Sequence, residues 1–124
     1  MPSKLIDLRS DLVSQPSNEL WASLDKPSFG VDDFGEDHET SALEAYVADL
    51  CGMDAALFFP TGVMANLTAV INHTPKNHEV IVGKKSHIFA HEAGGVSILG
   101  GVPMQTIDDG PGVLDSTAMQ ESIS

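Results

Sequence analysis

Between Phe58 and Asn66 the chain reads Phe-Phe-Pro-Thr-Gly-Val-Met-Ala-Asn, an apolar run that breaks on Pro60-Thr61-Gly62 and resumes with helical spacing. A helix begun on such a turn presents its first backbone N–H groups without intrahelical acceptors, at the positive end of the aligned peptide dipoles. The chemistry this suits is the holding of an anion, phosphate above all. Turns of this kind are frequent in α/β chains and only a minority hold a ligand, so the feature is a candidate and not a signature. A nucleoside triphosphate is not implied, because neither Gly-Lys-Ser, Gly-Lys-Thr nor Gly-x-Gly-x-x-Gly occurs.

His87 is the second candidate. It follows the apolar segment Glu79 to Val82 through Gly83-Lys84-Lys85-Ser86, at the carboxyl end where open α/β sheets place their ligands. It could face a cofactor, or be a hydrogen-bonded loop residue. His91, four positions on, would permit a metal pair on one helical face. His38, His73 and His78 lie in polar surroundings and Cys51 does not join them, so no metal is expected. Glu92 reads either as a general base or as an acid at a helix start, the second being the commoner role. Arg9-Ser10-Asp11 concentrates the only guanidinium with a hydroxyl and a carboxylate, a pairing more often structural than catalytic. Cys51 precedes Gly52 at a helix end, where the negative dipole disfavours a thiolate nucleophile.

The elements that must carry these residues follow from periodicity. Ser17 or Asn18 caps a short helix with Leu20, Trp21 and Leu24 on one face, stopped by Pro27. An acidic loop, Gly30 to Asp37, comes next. Thr40 or Ser41 with Glu44 has the spacing of a capping box, and Leu43, Val47 and Leu50 continue a helix that Gly52 closes. Ala55 to Phe59 is continuously apolar between turn residues, which predicts a strand buried on both faces of a parallel sheet. A helix is predicted over Met64 to Ile71, a strand over Glu79 to Val82, and a helix after His87 that includes Glu92-Ala93-Gly94-Gly95. Paired glycines inside a helix cost about 1 kcal/mol each against alanine, so a close backbone contact is expected there. Val102 to Ile107 predicts a further strand and Leu114 to Ile123 a weak, uncapped helix. Strands alternating with helices make the fold class α/β.

Composition narrows the partners. Six Lys plus Arg against eighteen Asp plus Glu, a net charge of −12, leaves no cationic patch for nucleic acid and disfavours anionic lipid. The apolar fraction of 42% in 124 residues is that of a globular chain with a core. A single cysteine excludes an internal disulfide framework and suits a reducing compartment. No apolar run approaches the roughly 20 residues needed to cross a bilayer, and charge enters at Asp7 and Arg9 before a signal-like run develops. A cytoplasmic address is expected.

The order of segments then matters: Ile6-Asp7-Leu8-Arg9-Ser10-Asp11, Phe34-Gly35-Glu36-Asp37, Ala42-Leu43-Glu44, Ala55 to Asn66, Ser86-His87-Ile88, and Glu92-Ala93-Gly94-Gly95. Together they resemble the N-terminal part of the L-threonine aldolases, in the β-eliminating lyase group of fold-type I pyridoxal phosphate enzymes. The resemblance implies an enzyme, a carbon–carbon lyase that cleaves L-threonine or L-allo-threonine to glycine and acetaldehyde. It implies pyridoxal 5'-phosphate as cofactor and the three-layer α-β-α large domain of the aminotransferase-like fold, with an incomplete sheet. Residues 1–30 would form an arm and short helix, and 31–124 part of the cofactor-binding domain, the small C-terminal domain being absent. By resemblance, the backbone of Gly62 and Val63 with Thr61 binds the phosphate, His87 stacks on the pyridine ring and assists at the substrate hydroxyl, and Ser10 contacts the substrate carboxylate. Members of the group form homo-dimers or tetramers.

The departures are specific. Family members commonly carry threonine at Val63 and at the position of Leu12, and tyrosine at the position of Phe34. The lysine that anchors the cofactor, the aspartate at the pyridine nitrogen and the substrate-clamping arginines lie beyond the matched region. Lys4, Lys26, Lys76, Lys84 and Lys85 match none of them. The resemblance covers about a third of the family enzyme, which implies that this chain by itself is catalytically silent. Two other readings stand beside it: a non-catalytic module docking on a full-length aldolase subunit, and a small α/β domain binding some other phosphate compound.

Overall fold

The computed structural model describes residues 6–24, 28–110 and 112–123, with Asp11 described in its backbone alone. The expectations that involve Lys4, Lys26, Pro27 and the side chain of Asp11 lie outside the described residues. The chain divides into two units, residues 1–56 and 57–124, each considered by itself.

In the first unit, a turn of 3-10 helix at Asp11–Val13 is followed by α1, Asn18–Ser23. Ser17 caps α1 as the sequence predicts, its hydroxyl oxygen accepting from the Leu20 N–H at 3.2 Å. A second 3-10 turn, Asp32–Phe34, leads to α2, His38–Cys51. The predicted capping box at Thr40 or Ser41 is not what starts this helix. Asp37 does, accepting from the Thr40 N–H at 3.0 Å and from the Thr40 hydroxyl at 2.8 Å, while the Ser41 hydroxyl donates to the Asp37 carbonyl. An ionised carboxylate is a stronger acceptor than a hydroxyl and draws both Thr40 donors to itself. The Asp37 carboxyl is accordingly held below its usual range by these bonds from Thr40.

Gly52 ends α2 at φ 63°, its N–H reaching the carbonyls of Ala48 and Asp49. A Cβ at Gly52 would meet nothing within 4 Å, so substitution there exposes the backbone cost alone. Gly52→Ala is expected to destabilise α2 by about 1 kcal/mol, the penalty of an L side chain in the left-handed region; loss of helical circular dichroism at lower denaturant checks it.

The second unit holds the βαβ core. α3, Gly62–His73, precedes β1, Val80–Gly83; two short helices, α4 at His87–Ala90 and α5 at Gly95–Ile98, form the crossover; β2, Met104–Ile107, and α6, Ser116–Glu121, complete it. β1 and β2 pair in parallel, Val80 opposite Met104 through Gly83 opposite Ile107. Two of the three predicted strands are therefore present, shifted or shortened by one or two residues, and they pair in parallel. α3 packs on α4 and α5. The core of this unit is aliphatic and small: Val82, Val96, Val102 and Ile107 are buried.

Three expectations are corrected here. Ala55 to Phe59 is not a strand: no neighbouring strand pairs with it among the described residues, and Leu57 and Phe58 stay 69% and 50% exposed. An apolar run becomes a strand only where a ladder partner satisfies its backbone. The helix predicted through Glu92-Ala93-Gly94-Gly95 is broken there, because Ala93 and Gly94 adopt φ of 51° and 71°, which no right-handed helix accommodates. The glycine pair marks a turn, not a packing concession. The last helix is shorter than predicted and capped, Asp115 accepting from the Ala118 N–H at 2.9 Å. No helix of the described residues is long and apolar enough to cross a membrane.

Candidate cofactor site

Thr61 caps α3, which starts at Gly62, two residues before the predicted Met64. Its backbone is extended, φ −141° and ψ 146°, and its side-chain oxygen accepts from the Met64 N–H at 3.1 Å. The Thr61 carbonyl accepts the first regular helical bond, from the Ala65 N–H at 3.1 Å. Capping therefore consumes the third amide of the helix and leaves the first two, on Gly62 and Val63, without an intrahelical acceptor. A Cβ built on Gly62 meets nothing within 4 Å, so the space beside its Cα is open. The Thr61 hydroxyl, having accepted from Met64, still has its proton to donate. Two amides and a hydroxyl donor at a helix N-terminus form a donor set that fits a phosphate group.

His87 opens α4 directly after the end of β1. Its ring is 63% exposed, yet its Nδ1 lies 2.8 Å from Oε1 of Glu92, a carboxylate only 1% exposed. The same Oε1 accepts from the Asn66 side-chain Nδ2 at 2.7 Å. Asn66 stands on α3, one turn beyond Gly62. The hydrogen bond from Asn66 first, and that from His87 second, hold the Glu92 carboxyl below its usual range although burial pushes the other way. Glu92 does not start a helix, which corrects the commoner of its two sequence readings; it lies between α4 and α5, bonded to His87 and Asn66. Sequence reasoning missed Asn66 as a partner because the pair is tertiary. The only signal was that Asn66 is a polar residue in the otherwise apolar first half of α3.

The His91 ring lies 5.5 Å from that of His87, tilted by 51°. Among the described residues no group of three His, Cys, Asp or Glu is placed to hold a metal. Behind His87, Asp109 is buried at the exit of β2 and accepts from the Lys85 N–H at 3.0 Å. Its other oxygen, and the Ser86 hydroxyl, are buried without partners among the described residues. The Lys85 ammonium donates to the Gly110 carbonyl at 3.2 Å, so this lysine is tied to the strand exit.

Thr61, Gly62, Val63 and His87 all belong to the second unit. Ser10 belongs to the first, where its hydroxyl oxygen accepts from the Leu12 N–H at 3.2 Å in the 3-10 turn. Arg9 pairs with Asp7, Nη2 to Oδ2 at 2.6 Å and Nε to Oδ1 at 2.9 Å, on a largely exposed arm. That pair lowers the Asp7 carboxyl and is local.

Comparison with known proteins adds to this geometry. Residues 7–124 match the family described as beta-eliminating lyase. The chain is 42% identical over 119 residues to the low specificity L-threonine aldolase of Escherichia coli K12, covering 94% of this chain and 36% of that protein. It is 36% identical over 122 residues to the probable low-specificity L-threonine aldolase 2 of Arabidopsis thaliana, covering 97% of this chain and 34% of the relative. A relative with a different name, alanine racemase TOXG of Cochliobolus carbonum, is 35% identical over 109 residues, covering 86% of this chain and 28% of the relative. The chain spans about a third of the length of the two aldolases. With the family matched over residues 7–124 of 124, this chain belongs to the beta-eliminating lyases.

Proposed function

We propose that this chain is part of a pyridoxal phosphate-dependent lyase that cleaves β-hydroxy-α-amino acids such as L-threonine to glycine and an aldehyde. The observation that carries the reading is the occurrence, in one unit, of an open helix N-terminus at Gly62–Val63 and a histidine held by a buried carboxylate, in a member of the beta-eliminating lyases. Pyridoxal phosphate, when bound, supplies the electron sink for the bond broken at the substrate α-carbon. The residues supply position. Gly62 and Val63 N–H groups and the Thr61 hydroxyl would donate to the phosphate and hold it by charge-assisted bonds. His87 would stand against the cofactor ring and take the proton of the substrate hydroxyl. Ser10 is carried as the contact to the substrate carboxylate by resemblance alone. Residues 31–124 would belong to the three-layer large domain of a homo-oligomeric, cytoplasmic enzyme, with 1–30 an arm. Aldol cleavage is preferred to racemisation because the two most similar relatives given above are named aldolases.

The missing hydroxyl at Val63 gives the test. Calorimetric titration of the 124-residue chain with pyridoxal phosphate is expected to give tighter binding than inorganic phosphate. Val63→Thr should tighten the cofactor by about 10- to 100-fold, the worth of about 1.5–3 kcal/mol for one hydrogen bond to a charged group. Gly62→Asp, which sets a carboxylate at the same amides, should abolish it. Equal affinity for the two anions, or indifference to both substitutions, overturns the cradle and leaves the general phosphate-binding domain. No acetaldehyde is expected from L-threonine with this chain alone, since no lysine here matches the family's anchor.

A further inference from the structure

We infer that Glu92 is a positioning residue which, braced by Asn66 of α3, holds His87 with Nδ1 protonated and Nε2 open, so that one helix sets both the anion cradle and the histidine's orientation. This rests on the reading of Gly62–Val63 and His87 as a cofactor seat and adds to it the part that keeps the two in register.

The geometry decides the proton positions. Asn66 Nδ2 and His87 Nδ1 converge on the same oxygen, Oε1 of Glu92, at 2.7 and 2.8 Å. An ionised carboxylate only accepts, so both neighbours must donate. The amide of Asn66 does so from its NH2 group, and the imidazole from Nδ1–H. A neutral ring with Nδ1–H has its lone pair on Nε2, the nitrogen that can then take a proton. The carboxylate end of this arrangement is buried and the ring end is exposed, 1% against 63%, which is the order required for a fixed anchor and a ring available to a ligand.

The backbone turns sharply beside this contact. Glu92 is followed by Ala93 and Gly94 in consecutive left-handed conformations, φ 51° and 71°. Left-handed backbone in a residue with a Cβ is retained where surrounding contacts demand it. α4 ends at Ala90, and the left-handed pair after Glu92 turns the chain into α5, next to a Glu92 side chain that reaches a histidine five residues earlier and an asparagine twenty-six residues earlier. A continuous helix through 87–98, the simpler outcome for the sequence, would not need it. Asn66 closes the chain of contacts, since Gly62 and Val63 occupy the first turn of the same α3 helix.

Nitrogen-15 spectra of the histidine rings, recorded on the 124-residue chain without cofactor near neutral pH, test the assignment. His87 is expected to show a protonated Nδ1 and an unprotonated Nε2. Glu92→Ala should return it to a predominantly Nε2–H ring, the tautomer preferred by unconstrained histidine. Glu92→Gln should preserve the Nδ1–H signature, because its amide oxygen still accepts from both donors; this variant keeps the test open if the alanine chain fails to fold. Asn66→Ala should give a mixture of the two tautomers. A parent chain with Nε2–H, or a Glu92→Ala chain with an unchanged ring, overturns the role of Glu92; an unchanged ring in Asn66→Ala overturns the coupling through α3. Since no cofactor is present in these spectra, their outcome is independent of the pyridoxal phosphate titration, which tests the seat itself.

Discussion

A Gly83→Ala chain is expected to unfold about 1–3 kcal/mol more easily than its parent, the range for overpacking a site that has no room. Gly83 is the last residue of β1, opposite Ile107 in the parallel pair. A Cβ there would stand 2.6, 2.8 and 2.9 Å from Oδ2, Cβ and Cγ of Asp109. Rotation of the aspartate can move its oxygens and Cγ, but its Cβ is fixed by the backbone, so the exit of β2 must shift as well. Asp109 cannot simply leave, because its Oδ2 holds the Lys85 N–H in the segment that leads to His87. The methyl group therefore acts on the sheet and on the histidine loop together. Chemical denaturation of four chains, the parent, Gly83→Ala, Asp109→Gly and the double variant, separates this mechanism from a loss of strand propensity. If the clash is the cause, alanine at Gly83 costs less in the Asp109→Gly background, a coupling expected only between residues in contact. Strict additivity would mean that the cost arises elsewhere. Amide exchange at Lys85 should quicken in Gly83→Ala for the same reason.

How far the sequence discloses this molecule depends on the range of the interactions concerned. The Ser17 and Gly52 caps, the turn at Pro60-Thr61-Gly62 into α3, and the two strands of the sheet are set by residues within a few positions of one another, and they appear within two residues of where the spacing puts them. Ala55 to Phe59 fails for the opposite reason. A strand's existence depends on a neighbour that local sequence does not contain, and no described strand lies beside it. The start of α2 was misread by a short distance, because a hydroxyl cap and a carboxylate cap compete within four residues and the carboxylate won. In the candidate site, the capped start of α3 near Gly62 and the place of His87 after β1 are legible from the turn and the strand end. The hold on His87 is not, since Asn66 and Glu92 are separated by twenty-six positions and neither carries a local mark of the other.

Thin cores magnify single polar contacts, and the second unit illustrates this. Among the described residues its buried aliphatics are four, Val82, Val96, Val102 and Ile107, whereas Glu92 and Asp109 are buried polar residues. Both carboxylates lie at the joints of the crossover: one ties α3 to the turn between α4 and α5, the other ties β2 to the loop before α4. The crossover has little apolar area with which to fix these joints, so directional bonds do so. Packing of this kind gives definition to the His87 loop at the risk of large losses when one partner is removed.

Asn66 is where that risk is greatest. Asn66→Leu removes a donor from an ionised carboxylate that is 1% exposed, and should cost about 1.5–3 kcal/mol, the worth of a hydrogen bond to a charged group. Leucine is the better helix former, but the gain is less than about 0.7 kcal/mol and does not offset the loss. The pH dependence identifies the cause. Glu92 titrates lower in the folded chain than in the unfolded one, with Asn66 the largest contributor. Its stabilising effect is therefore complete above the unfolded value and is lost as pH falls through the folded one. Asn66→Leu should flatten this acid limb, leaving the smaller part due to His87. Asn66→Asp should reverse it: two carboxylates forced together raise one pKa, so that chain becomes more stable as the pH falls through the raised value and one proton bridges the pair. Urea unfolding of the three chains between neutral and mildly acid pH measures all of this. Parallel curves for the parent and Asn66→Leu would show that the amide does not support the Glu92 charge.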